Sequence, residues 1–245
     1  MAPAFPLHRF AEFSDLTAQQ RLVLESLTRS PRGYEKRATI RTEGAPTSCV
    51  WHLHSGWVGA AINLPNAKRQ LAKVHLPGDV LGSTSMCLER AGDSLEAISD
   101  AVVSAVPYST LGQIFVSDPR LAAAFLLSVQ KERVSLMHKL AEVGRVSAYE
   151  RVAGMILDLL VRCRQANIAH KNVIYCPLTQ EQIGDMIGLT NAHVNRMLRQ
   201  LNDEGIIDGM HTRFTIIDEK RLSSLVVFKA DFVKLPSWLP HHILD

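Results

Sequence analysis

Cysteine is scarce in this sequence and scattered: Cys49, Cys87, Cys163 and Cys176 include no Cys-x-x-Cys pair. That removes zinc-ribbon and iron–sulfur spacings and fits a reducing compartment. Long apolar runs are missing too. The longest, near Ala122–Leu127, falls far short of the roughly 20 residues that span a bilayer. The N-terminus has no basic segment followed by an apolar run and a small-residue cleavage site, so a cytoplasmic chain without a membrane partner is expected. An excess of one charge is nearly absent. The net charge is +3 over 245 residues, and the part from Val146 onward is close to neutral. Gross electrostatics therefore offer no argument for nucleic acid. No paired carboxylates and no Cys–His–Asp set have a spacing that implies catalysis, so neither an enzyme activity nor a cofactor is expected.

What is present is enough chain for two compact domains with separate cores. Residues 5–30 hold an expected helix, entered through Ser14-Asp15-Leu16-Thr17 and carrying Leu22, Leu24 and Leu27. From Tyr34 to about Val106 the texture changes to short strands punctuated by turns. Those turns fall at Glu43-Gly44, Ser55-Gly56, Pro65-Asn66, Pro77-Gly78-Asp79 and Ala91-Gly92-Asp93. Strands so closely spaced predict a small antiparallel roll. Asp118-Pro119 then opens a long helix to about Gly144. Along it Ala122, Leu126, Val129, Arg133, Leu136, Leu140 and Val143 recur at spacings of three and four. That heptad seam, broken once by Arg133, predicts pairing with a second copy. Phe125 and Met137 lie on another side and can pack on the roll. Ser147-Ala148-Tyr149-Glu150 is a capping-box pattern that restarts a helix through Ile156, Leu159, Leu160 and Cys163, which leaves Gly144–Val146 as a hinge.

The most informative stretch is Leu178–Asp208. Thr179 with Gln182 forms another capping-box pattern. Ile183 and Ile187 share one face, Gly188 can take the left-handed angle that ends the helix, and Thr190 can cap the next one. In that second helix Val194, Leu198 and Leu201 point inward. The opposite face carries Asn191, Asn195, Arg199 and Asn202 with Arg196 beside them, and no acidic residue interrupts the row until Asp203. These side chains can pair with base edges and phosphates, so the stretch reads as a helix-turn-helix with its recognition helix in register. Ile206-Ile207-Asp208-Gly209 followed by Arg213–Ile217 reads as strand, turn and strand, a wing on which Arg213 reaches a phosphate. The DNA-contacting set expected is Thr179, Gln180, Thr190, Asn191, Ala192, His193, Asn195, Arg196, Arg199 and Arg213. Glu219–Phe228 reads as a further helix and Leu235–Pro240 as an irregular tail.

The order helix, roll, long helix and winged helix-turn-helix resembles the cyclic-AMP receptor protein/FNR (Crp/Fnr) family of bacterial transcription regulators. The likeness is strongest in Leu178–Ile207 and visible at Gly56, at Leu76-Pro77-Gly78-Asp79 and at Ser147–Val152. His193-Val194-Asn195-Arg196 resembles one branch of it, with FixK-type regulators as looser relatives. The resemblance implies an α+β chain: a cyclic-nucleotide-binding-like antiparallel β-roll over 1–117, a dimerisation helix over 118–145 and a winged helix-turn-helix over 146–245. It also implies a homodimer on two-fold-symmetric promoter DNA, with RNA polymerase as a further partner. Arg196 matches the family's guanine-reading arginine. Ala192 stands where the family usually has glutamate, Asn191 replaces a common arginine and Asn195 stands in place of a glycine, so a different operator is expected.

The family's nucleotide pocket follows the Pro-Gly-Asp turn with a glutamate for the ribose and an arginine for the phosphate. Here Ser83 replaces the glutamate, and Asp93 and Ser94 stand near the arginine position. An aspartate there repels a phosphate diester, so cyclic AMP is not the expected effector, and the effector is left unassigned. Arg90 compensates only if the loop takes another path. An alternative of a different class is a metal-binding, cupin-like enzyme or small-ligand-binding protein, because His52 and His54 alternate on one strand with His75 on another. The usual glutamate beyond such a pair is missing, so no metal site is assigned. Cys87 and Cys176 are read as inert thiols, each lacking an evident activating cation.

Overall fold

The structure is a computed structural model that describes residues 7–28, 30–65, 69–210, 212–228 and 236–239. Asn66 of the expected Pro65 turn, His211 of the wing and Leu235 and Pro240 of the tail lie outside these. The chain divides into two compact units. One is formed by the described residues among 1–60, 75–134 and 231–245, the other by those among 61–74 and 135–230.

In the first unit the helix expected after Ser14–Thr17 is α2 (Ala18–Ser26), and a short α1 (His8–Ala11) precedes it. Thr17 accepts from the Gln20 N–H at 3.1 Å while the Gln20 side chain accepts from Thr17, a reciprocal cap that fixes where α2 starts. Leu24 is buried, but Leu22 faces solvent. The strands of the N-terminal half are β1 (Arg32–Tyr34), β2 (Thr39–Arg41), β3 (Cys49–Ser55), β4 (Val58–Asn63), β5 (Arg69–His75), β6 (Val80–Leu81), β7 (Ser94–Ala97) and β8 (Ala101–Pro107), with the end of β4 and β5 up to Val74 counted in the second unit. They form two sheets, in the orders β1-β8-β3-β6 and β2-β7-β4-β5. Side chains alternate across a strand, so β3 serves two layers. Leu53 points into the roll with Val58, Leu81, Leu95 and Val103, and Trp51 packs on them. Val50 points the other way, onto Val106, Leu111, Leu27 and Phe125.

Helix α3 (Tyr108–Ser117) was not legible from sequence, because Pro107 precedes it and no side chain caps it. Asp118 then accepts from the Leu121 N–H at 2.9 Å and starts α4 (Pro119–Arg145) where Asp118-Pro119 predicts. On α4, Leu126, Leu136, Leu140 and Val143 are exposed apolar side chains, Arg133 is exposed and Val129 is half-buried. Phe125 packs inward as expected. Met137 does not, and is 63% exposed.

The second unit is organised on α5 (Ala148–Gln165), capped by Ser147 and Glu150 as predicted, with Val152, Ile156, Leu159, Leu160 and Cys163 buried. Around it lie β9 (Val173–Tyr175), α6 (Gln180–Ile187), α7 (Asn191–Asp203), β10 (Ile207–Asp208), β11 (Arg213–Ile216) and α8 (Glu219–Ser224). Helix α8 ends at Ser224, short of the expected Phe228. The three strands form one sheet, β10-β11-β9, closed over Ile174, Phe214 and Ile216. Residues 61–74 also belong here. The Asp185 carboxylate on α6 accepts from the Leu71 N–H at 3.3 Å, and Arg162 donates to the Val74 carbonyl at 2.6 Å.

Candidate nucleic-acid interface

Three local devices build the two-helix motif. Thr179 accepts from the Gln182 N–H while Gln182 Oε1 accepts from Thr179, so α6 begins at a fixed residue. Gly188 closes α6 at φ 66°, in the left-handed region glycine enters without cost. Gly184 supplies a feature the sequence did not announce. A Cβ there would sit 2.4 Å from the Leu189 carbonyl oxygen, so only glycine lets the turn fold back this tightly. Thr190 then caps α7, accepting from the His193 N–H.

Helix α7 separates its two faces cleanly. Val194, Met197, Leu198 and Leu201 are buried, whereas Asn191, Ala192, His193, Arg196 and Arg199 are exposed and Asn195 is half-buried. Thr179 and Thr190 are exposed at the two caps, Gln180 is half-buried, and Arg213 is exposed on β11. The ten residues expected at DNA are thus brought to the caps, the outer row of α7 and the wing.

The arginines sort themselves by partner. Arg164 is bidentate to Glu219 at 2.7 and 2.8 Å, Arg221 pairs with Glu204 at 2.7 Å, and Arg151 donates to the Ile187 carbonyl. Arg196, Arg199 and Arg213 have no hydrogen bond or ion pair to any described residue. An exposed guanidinium without a carboxylate is available to a phosphate or a base edge.

One side chain departs from the expected row. Asn202 donates to the Gly209 carbonyl at 2.9 Å and to Leu198, and accepts from the Gly209 N–H at 2.9 Å. It staples the wing turn to the end of α7 and has no amide face left for a base. Sequence spacing puts it on the polar side of the helix but does not reveal the loop that folds back over it.

The interior of the roll behaves in the opposite way. Asp93, which stands near the position of the family's phosphate-binding arginine, accepts from Arg41 Nη2 at 2.6 Å and from Ser85 Oγ at 3.1 Å. The Arg41 guanidinium also lies over the Trp51 ring, 5.4 Å from its centroid. The compensating cation is therefore Arg41 rather than Arg90, which instead donates to the Gly44 carbonyl at 2.9 Å.

The histidines diverge. His52 is buried in the outer layer of the roll, and burial pushes it down to about 3. His54 bonds Ser104 at 2.8 Å, and His75 faces Asp79 at 3.7 Å. Among the described residues no three His, Cys, Asp or Glu side chains converge as metal ligands would. Cys176 is buried, and its thiol is pushed up to about 11 by desolvation, away from thiolate chemistry. Cys87 is exposed.

Comparisons with known proteins agree with this geometry. Residues 31–118 match the model of the cyclic nucleotide-binding domain and residues 150–225 that of the Crp-like helix-turn-helix domain, together more than half of the chain. The nitrogen fixation regulation protein FixK of Azorhizobium caulinodans is 28% identical over 224 residues, covering 89% of each chain. The transcriptional activator protein FnrA of Stutzerimonas stutzeri is 21% identical over 210 residues, covering 86% of each. The structure of FixK2 from Bradyrhizobium japonicum superposes with a TM-score of 0.73 at 28% identity, over 82% of this chain and 98% of that one. These relatives are regulators rather than enzymes. The chain is a member of the Crp/Fnr family of transcription regulators, α+β in class, with a cyclic-nucleotide-binding-type roll and a helix-turn-helix.

Proposed function

We propose that this regulator binds a two-fold-symmetric operator as a homodimer, with α7 in the major groove and without cyclic AMP as its signal. The observation that carries the reading is that Arg196, Arg199 and Arg213 have no partner among the described residues, whereas Arg151, Arg162, Arg164 and Arg221 of the same unit hold carboxylates or carbonyls. Arg196 is assigned to a guanine, where a guanidinium can donate to O6 and N7 together. Arg199 and Arg213 are assigned to phosphates, with Thr179, Gln180, Thr190, Asn191, Ala192, His193 and Asn195 completing the contact surface. The exposed stripe of Leu126, Leu136, Leu140 and Val143, with Val129 and Arg133, supports pairing of α4 with its copy. Residues 1–117, 118–145 and 146–245 serve as sensory roll, dimer helix and DNA-binding region in this reading.

The Arg41–Asp93 pair argues against a cyclic nucleotide, because a phosphate diester would have to displace a buried ion pair and meet the aspartate. Contact with RNA polymerase at promoters and action in the cytoplasm belong to the same proposal. Four unbridged cysteines, and the absence of a described helix long and apolar enough to cross a membrane, are compatible with it. The test is selection of binding sites from random duplexes with the wild-type chain and Arg196→Ala. A palindromic motif that loses one base preference in the variant supports the assignment, and an unchanged motif refutes it. Calorimetric titration with cyclic AMP is expected to show no binding, and micromolar affinity would overturn that part.

A further inference from the structure

Beside the arginines, the outer row of α7 contains a side chain whose polarity the fold has already set. Gln180, the first residue of α6, donates through Nε2 to the Met210 carbonyl at 3.4 Å. A carbonyl can only accept, so this bond turns Gln180 Oε1 toward α7. There it accepts from Asn195 Nδ2 at 2.5 Å, and the same nitrogen donates to Asn191 Oδ1 at 3.1 Å. Both amide hydrogens of Asn195 are thereby committed. Its Oδ1 makes no bond to a described residue and lies in the row between the exposed Asn191 and Arg199.

An asparagine free to turn reads adenine bidentately, donating to N7 while accepting from N6. Asn195 held this way cannot donate and offers an acceptor alone. In the major groove only adenine N6 and cytosine N4 are donors, whereas guanine O6 and thymine O4 are acceptors that would oppose Oδ1. We propose that Asn195 is a specificity-determining residue that accepts from the exocyclic amine of an adenine or cytosine, and that Gln180 is the positioning residue that fixes its amide. The inference rests on α7 being the helix that reads DNA. Neighbouring side chains then read with opposite polarity: Arg196 only donates and Asn195 only accepts.

The test uses the full-length chain in selection from random duplexes, comparing wild type, Asn195→Ala, Asn195→Ser and Gln180→Ala, with circular dichroism confirming that each variant folds. Wild type is expected to enrich A or C over G and T by about tenfold on one strand at one position per half-site. Asn195→Ala and Asn195→Ser should make that position alone degenerate. Gln180→Ala should change the same position, admitting G and T because the freed amide can rotate. A merely structural role for Gln180 would alter affinity and leave base identity alone. The proposal is overturned if the Asn195-dependent position separates A·T from G·C pairs rather than A and C from G and T on one strand, or if neither Asn195 variant changes any position. In those cases an Arg196→Ala effect elsewhere in the motif leaves the DNA-reading assignment intact. Wild type enriching no sequence at all overturns both.

Discussion

The outer face of α7 and the interior of the roll both present arginine, hydroxyl and amide groups, yet they end in opposite states. On α7 no carboxylate stands within the row before Asp203, and Arg196 and Arg199 have no partner among the described residues. In the roll Arg41 and Asp93 meet at 2.6 Å and are both buried. The same residue type is left open to a partner in one place and paired internally in the other. The outer face of one helix is thus left open while the interior of the roll is filled by its own side chains.

The contrast breaks most sharply at the ion pair. Asp93→Ala leaves a buried guanidinium without its counter-charge and is expected to lower stability by about 3–5 kcal/mol, measurable as a shift in the urea unfolding midpoint. Replacing both partners, Arg41→Met with Asp93→Leu, should recover most of that loss. A double variant as unstable as the single one would mean that packing, not the uncompensated charge, sets the cost.

A second effect is pH-dependent. His52 is held down to about 3 by burial, so between that value and its ordinary range the unfolded chain binds the proton more tightly. Its contribution is complete above about pH 6.5 and is lost as the pH falls. On this basis, about 2 kcal/mol should disappear between pH 7 and 5. A His52→Leu variant should lack this component when unfolding is followed at both pH values.

Gly184→Ala drives a methyl into the Leu189 carbonyl and is expected to cost about 1–3 kcal/mol, read as a lower melting temperature together with weakened DNA binding. The smallest effect belongs to Arg213. A contact to phosphate carries no base information, so Arg213→Ala should leave the selected motif unchanged and reduce the slope of log affinity against log salt by about one.

The helix-turn-helix was legible because its signals are local. Thr179 with Gln182, Gly188 and Thr190 all act within four residues of their partners. The features that escaped are long-range or uncapped. Strand β1 exists because Arg32–Tyr34 pairs with β8. Arg41 and Asp93 are separated by 52 residues, so the sequence showed an aspartate where a phosphate would sit but not what neutralises it. The spacing of α7 places Asn195 on the polar row. Its orientation depends on Gln180 and Met210, which come from the other helix and the wing.

Methylation of guanine N7 in a selected operator tests the central claim most directly, because that atom lies in the major groove and is the one Arg196 is assigned to contact. The account predicts that methylating one guanine per half-site blocks wild-type binding and no longer matters to Arg196→Ala. Binding that tolerates N7 methylation at every guanine of the operator would contradict it.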